Sequence, residues 1–304
     1  MKDRLRLIAE HSLTYAPHHV ADKLGYFTDA GLDIDLSYES GPGGSWLAEV
    51  LARGEADIAR GGVWIPMMYR GHLEDLRLFA ALCHRNAQVL FTRTPSKDFS
   101  LRELEGRRIM LPAAATSQWM YFRGLFEEQG ADWTKVLWIR DLEVRTMARL
   151  WRGGYADGFL TSPPLAETLM GEGHHAALDF ADTGAVPWSV YYAARATIED
   201  KAGPLARFVG ALSRATGWME QAQAGEIARL IAEDFPAWTP SIIERALARM
   251  LAKGTWSRDM HVPPAALQRY QTMIASYGLI PAPMAHETIV DDRAASAPPL
   301  AAAS

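Results

Sequence analysis

A short alternating apolar run, a loop, an amphipathic run and a closing glycine recur along this chain, and that repetition constrains the fold more than any single residue does. Leu5-Arg-Leu-Ile-Ala9 alternates as a strand does; Tyr15 to Leu24 then sets Val20, Ala21 and Leu24 on one helical face, with Pro17 in the first turn and Gly25 as stop. The unit repeats with the strand Leu32 to Tyr38, the loop Gly41-Pro-Gly-Gly-Ser45 and a helix with Leu47, Val50 and Leu51 inward, closed by Gly54. Ala56 to Ala59 is a third strand; it ends in Arg60-Gly61-Gly62, and a turn around Pro66 and strand runs at Leu76–Leu82 and Gln88–Thr92 follow. A second series starts with Ser100 capping a short helix. It continues through the strand Arg108–Leu111 and a helix capped by Thr116 or Ser117, with Trp119, Phe122 and Phe126 as its apolar stripe. Strands at Val136–Ile139 and Asp157–Thr161 follow, with a helix at Glu143–Trp151 between them, and the last strand run is Val186–Ala194. From Pro204 the periodicity is helical almost throughout.

Right-handed crossovers between successive strands place helices on both faces of mainly parallel sheets, so two such series predict an α/β fold of two lobes. A length of 304 residues suits two modest domains. Lys+Arg 31 against Asp+Glu 36 leaves a formal charge of −5, the wrong balance for a general nucleic-acid binder. The single cysteine, Cys83, excludes disulfide frameworks and multi-cysteine metal centres. His18-His19 and His174-His175 are adjacent and point apart, so neither chelates by itself; both pairs read as solvated, and no metal site is expected. Charges inside Met1 to Ile8 interrupt any export signal there, and no run reaches a membrane span. The chain as written reads as cytoplasmic, or as periplasmic if an export signal has been removed.

In open α/β sheets, ligands sit outside the carboxyl ends of the strands. The loops there read His11-Ser12-Leu13-Thr14-Tyr15; Gly41 to Ser45, with Gly43 central; Arg60-Gly61-Gly62-Val63-Trp64; Ala113 to Ser117; Arg140-Asp141; and Thr161-Ser162. Gly41–Ser45 and Ala114–Ser117 run into helix starts, which either attract an anion through unpaired N–H groups or are simply capped. Arg60 beside two glycines offers a fork of donors to an acid group, or makes a surface salt bridge. Trp64, Trp119 and Trp188 lie near strand ends, as walls for a planar ligand or as core. His11 is placed to act as a base or as a polar loop residue. Gly41-Pro-Gly-Gly-Ser45 lacks the Lys-Ser/Thr of a phosphate loop, no Gly-x-Gly-x-x-Gly follows the first strand, and Leu47 breaks a nucleophile elbow. No cofactor is expected.

Four segments carry a resemblance: Ala21-Asp-Lys-Leu-Gly25-Tyr26-Phe27-Thr-Asp-Ala-Gly31-Leu32-Asp-Ile34, Leu51-Ala-Arg-Gly54-Glu-Ala-Asp57-Ile58, Leu104-Glu-Gly106-Arg-Arg108-Ile109 and Leu150-Trp-Arg-Gly153-Gly-Tyr-Ala-Asp157-Gly-Phe159. In order and spacing they resemble the nitrate/sulfonate/taurine and thiamine-precursor binding proteins of ABC importers, of the type II periplasmic-binding-protein-like class. The resemblance implies two lobes joined by two crossing strands, Gln88–Thr92 and Tyr191–Ala194, with residues 1–90 and 193–304 in lobe one and 91–192 in lobe two. It further implies hinge closure on a ligand, and an ABC-transporter permease as partner. More distantly the chain is similar to the hydroxybiphenyl sulfinate desulfinase. Arg60-Gly61-Gly62-Val63-Trp64-Ile65-Pro66 looks like that family's arginine motif, while Ser12 stands about where its nucleophilic cysteine would be. The yeast-type pyrimidine synthase needs a cysteine-rich motif that Cys83 alone cannot supply. The leading expectation is therefore a binder of a small anionic ligand with an aromatic or heteroaromatic body. Arg60, Thr116 and Ser117 would hold the acid group, with Tyr15, Trp64, Trp119 and Trp188 about the body. The alternative is a lyase of the same fold with His11 as proton donor.

Overall fold

Alternation sets the first strand: in β1 (Asp3–Ala9), Leu5 and Leu7 are buried while Asp3 and Arg4 are exposed. The computed structural model describes residues 2–38, 44, 46–113 and 115–296. β1 pairs in parallel with β2 (Leu32–Tyr38), Leu5 opposite Ile34, and with β3 (Ile58–Gly61), Leu7 opposite Ile58. The chain then runs through β4 (Leu76–Cys83) and crosses to a second sheet, built from β5 (Val89–Thr92), β6 (Arg108–Met110), β7 (Leu137–Ile139), β8 (Gly158–Thr161) and β9 (Ala176–Asp179). It returns as β10 (Ser189–Ala194). The strand orders are β2-β1-β3-β10-β4 and β7-β6-β8-β5-β9.

Each sheet contains one reversed strand. β10 is antiparallel to β3 and β4, and β5 is antiparallel to β8 and β9. The cause is connectivity: a strand arriving from the other lobe enters its sheet from the ligand-facing end, so it runs against strands fed by crossover helices. β9 has no counterpart in the sequence reading, because Ala-Ala-Leu-Asp at a half-exposed edge carries no clear alternation. Val186 and Trp188, expected within the last strand, lie in the return crossing, where their N–H groups donate to the carbonyls of His84 and Cys83 at 3.0 and 2.8 Å.

The helix Ala16–Lys23 stops where Gly25 adopts φ +73°, a conformation a side chain resists. Both His18 and His19 are buried, which corrects the solvated reading. This helix is sandwiched between the first sheet and the C-terminal helices Ala202–Met219 and Ala224–Ile231, so it has no free face at those positions. Burial holds His18 well below the usual imidazole range, while His19 Nδ1 lies 3.2 Å from Asp234 Oδ2.

The C-terminal segment serves both lobes. Its helix Pro264–Tyr277 packs on the second-lobe helix Thr116–Glu128, with Gly124 against Met273. One apolar cluster therefore runs from Ala59, Val63 and Ile65 through Leu90, Ile109, Phe122 and Leu160 to Tyr270 and Met273. On the other side, Arg249 of the helix Pro240–Ala252 bridges Glu167 at 2.6 Å and Asp179 at 2.9 Å. No helix among the described residues is long and apolar enough to cross a membrane.

Candidate functional site

The carboxyl ends of β1 and β3 face the end of β8 and the start of the helix Thr116–Glu128, and a cavity of about 100 Å³ lies between them. Its first-lobe wall is Glu10, Ser12, Thr14, Tyr15, Gly61 and Gly62. Ser117, Gln118, Ser162 and Pro163 form the wall opposite, and Ala87, Gln88, Trp188 and Ser189 of the crossings close the back. A wider cleft of about 940 Å³ is continuous with it through Gln88, Gln118, Ser162 and Pro163. The cleft adds Thr161 at the end of β8, Arg145, Arg149 and Arg152 of the helix Val144–Arg152, and Trp238 from the first lobe.

Local chemistry fixes these walls. Ser12 caps the turn Leu13–Tyr15: its Oγ accepts from the Thr14 N–H at 3.3 Å and lies 2.9 Å from Thr14 Oγ1. Gly62 leaves room for the Trp64–Ser117 contact, since a Cβ there would come within 2.5 Å of Trp64 Nε1 and 2.9 Å of Ser117 Oγ. Trp64, buried, donates from Nε1 to Ser117 Oγ across the gap at 2.8 Å. Thr116 and Ser117 lie inside their helix rather than capping it. Its N-cap is Ala115, which has no side-chain acceptor, and the serine hydroxyl is turned to Trp64 instead.

Of the residues singled out from the sequence, Ser12, Tyr15, Gly61, Gly62, Ser117 and Trp188 line the cavity, and Thr161 lines the cleft. Arg60 is fully buried behind Tyr15, its Cζ 3.4 Å from the ring centroid, and its Nη2 donates to the Glu10 carbonyl at 2.9 Å. Its side chain shares a sheet face with Ile58, one residue out of phase with the gap. Trp119 packs on Trp138 at 4.6 Å under the Arg140 guanidinium, within the second-lobe core. His11 is exposed; its Nε2 is 2.8 Å from the Asp234 carbonyl and its ring rests on Phe235 and Tyr38. Gly43 lies outside the described residues. Among the described residues no three His, Cys, Asp or Glu side chains are grouped to hold a metal.

The sequence reading missed Glu10, Gln88, Gln118 and Ser189; Thr14 and Ser162 stood in its strand-end loops without being singled out. Glu10 was within reach, as the residue that follows β1; Gln88 and Ser189 flank the crossings, where only the assembled fold assigns a wall. Burial lifts the Glu10 carboxyl above the usual carboxylate range, and the Arg60 charge offsets part of that. Burial pushes the Cys83 thiol up to about 12, with Sγ donating to the Thr14 carbonyl at 3.2 Å, so it supplies no thiolate at neutral pH.

Comparisons with known proteins place the fold. The family described as NMT1/THI5 like matches residues 12–224, and the chain belongs to that family. It is 23% identical over 286 residues to the Bacillus subtilis (strain 168) protein named "Putative binding protein YtlA", covering 92% of this chain and 85% of that one. Two solved structures share the fold. The Escherichia coli periplasmic aliphatic sulphonate binding protein SsuA is 16% identical with a TM-score of 0.75, covering 95% of this chain and 98% of that one. A DszB mutant in complex with biphenyl-2-sulfinic acid is 16% identical with a TM-score of 0.70, covering 97% and 98%.

Proposed function

We propose that this chain is the ligand-binding component of an ABC importer and holds a small organic acid with a planar body between its two lobes. One observation carries the reading: a cavity walled by hydroxyl, amide and aromatic groups from both lobes, at which the Ser12 hydroxyl is engaged by Thr14, while His11 lies outside its lining against the Asp234 carbonyl. The aromatic body lies against Tyr15 and Trp188, Gly61 and Gly62 admit it closely, and the uncapped helix start at Thr116 and Ser117 attracts the acid group, with Thr161 beyond it. Arg60 acts through Tyr15 and the Glu10 backbone rather than by touching ligand. SsuA, named for sulphonate binding in the periplasm, supports the ligand class, that compartment and a permease partner. DszB supports the alternative, a lyase using the same cavity.

A thermal-shift screen against sulfonates, carboxylates, sulfinates and pyrimidines tests both. A binding protein gains about 2.7 kcal/mol of stability at a ligand concentration 100 times Kd. The bound molecule is then recovered unchanged. Recovery of a desulfinated or decarboxylated product replaces this reading with the lyase, and no stabilisation by any organic acid removes the binding reading.

A further inference from the structure

Successive strand residues send their side chains to opposite sheet faces, and the two faces of this molecule are joined in different ways. On one face a single apolar cluster runs through both lobes. It takes in Ile8 and Ala59 of the first sheet, Leu90, Ile109 and Leu160 of the second, and the contact between the helices Thr116–Glu128 and Pro264–Tyr277. On the other face the core is divided. Leu7, Ile58 and Tyr191 of the first sheet pack with the C-terminal helices, whereas Val89, Phe91 and Phe159 of the second pack with the helices Val144–Arg152 and Leu165–Gly171. Among the described residues these two clusters stay separate, and ion pairs bridge the division. Arg249 reaches Glu167 at 2.6 Å, Asp179 at 2.9 Å and the Ala87 carbonyl in the crossing at 3.3 Å, and Lys253 reaches Asp182 at 2.7 Å.

The wide cleft belongs to this divided face. Its lining includes Ala148 and Leu165, which pack with the second-lobe cluster, and Trp238, which packs with the first-lobe one. The two joints also differ in what parting them costs. Prising the helix Pro264–Tyr277 from Thr116–Glu128 would bring Phe122, Tyr270 and Met273 into water, at a cost proportional to the apolar area exposed. Ionic groups exchange each other for water as they part, and the partly exposed pair of Lys253 with Asp182 loses little. We infer that the lobes open by pivoting on the contact between Thr116–Glu128 and Pro264–Tyr277, with Arg249 and Lys253 as the latch of the divided face, from which the inner cavity is reached. The latch acts on the protein without ligand, so it is tested apart from the proposed binding function.

Spin-label distances, measured by double electron–electron resonance on the whole ligand-free chain, test it. One label pair, Ala248→Cys with Ala176→Cys, spans the divided face; the other, Gln129→Cys with Thr272→Cys, spans the pivot, and all four positions are exposed. Cys83 is buried with its thiol pushed up to about 12, so it takes no label. Arg249→Gln combined with Lys253→Gln is expected to raise the longer-distance population across the divided face about ten-fold and to leave the pivot distance unchanged. Lys253→Gln alone should shift the same pair in the same direction, and it carries the test if circular dichroism shows the double variant unfolded. Lengthening of the pivot pair, an equal change in both pairs, or no change in either overturns the latch. The binding function then stands or falls on the ligand screen alone.

Discussion

Glu10 and Gly62 show how much one side chain can matter where two lobes meet. The Glu10 carboxyl is raised by burial, so the folded state binds its proton more tightly than the unfolded chain does. The sign follows: stability is lost as pH rises from the unfolded carboxylate value to the folded one, and stays lost above it. Glu10→Gln is therefore expected to stabilise the ligand-free protein at pH 7 by about 1 kcal/mol, with the gain vanishing near pH 3, read from urea midpoints at the two pH values. A variant less stable than the parent at pH 7 would show that the Arg60 charge outweighs burial at this carboxyl. Gly62→Ala places a Cβ on the indole nitrogen of Trp64 and on Ser117 Oγ, so the Trp64–Ser117 contact across the gap must give way. Ligand affinity should fall at least ten-fold, about 1.4 kcal/mol, as measured by calorimetry.

Among the elements, the contact between Thr116–Glu128 and Pro264–Tyr277 is set by the absence of a side chain. At Gly124 an added methyl would lie 2.3 Å from Met273 Cγ and 2.8 Å from its Cβ, and the Cβ cannot swing away. Alanine is the better helix former by about 1 kcal/mol, yet overpacking costs about 1–3 kcal/mol, so Gly124→Ala should be net destabilising in chemical denaturation. A stabilised variant would mean that the two helices are not pressed together. Asp57, where the chain turns into β3, ties β1 and the C-terminal segment together. Its Oδ2 accepts from the Arg6 N–H at 2.9 Å and its Oδ1 pairs with Lys201 at 3.0 Å. Burial pushes this carboxyl up, but the bonds from Arg6 and Lys201 outweigh it and hold it below the usual range. Its contribution is thus present above the unfolded carboxylate value and disappears as pH falls through the folded one. The stability difference between the parent and Asp57→Asn should accordingly be present at pH 7 and absent near pH 2.

At the scale of the whole molecule, the lobes are fastened on both flanks of the cleft: by the apolar cluster that runs through Tyr270 and Met273, and by Arg249 between Glu167 and Asp179. Arg249→Ala would strand the buried Glu167 carboxylate and the half-buried one of Asp179, and is expected to cost about 3–5 kcal/mol, measured by urea unfolding. Because one core joins both sheets, the parent should melt in a single transition by circular dichroism and by tryptophan fluorescence alike. Two separated transitions would show lobes that fold independently.

The order of strands, loops and glycines determined a great deal by itself. Period-two runs can bury one face only in a sheet, and helices between them force crossovers, so the two-lobed α/β fold and the strand ends that carry Ser12, Gly61, Gly62 and Ser117 were legible along the chain. What the chain order could not decide was direction and depth. The reversal of β5 and β10 depends on which end of a sheet a crossing strand enters. The edge strand β9 exists because β5 offers it a partner. Arg60 rests behind Tyr15, and Glu10 faces the cavity, because one residue of phase along a strand selects the face, and only packing on both sides of the sheet fixes which face meets the ligand.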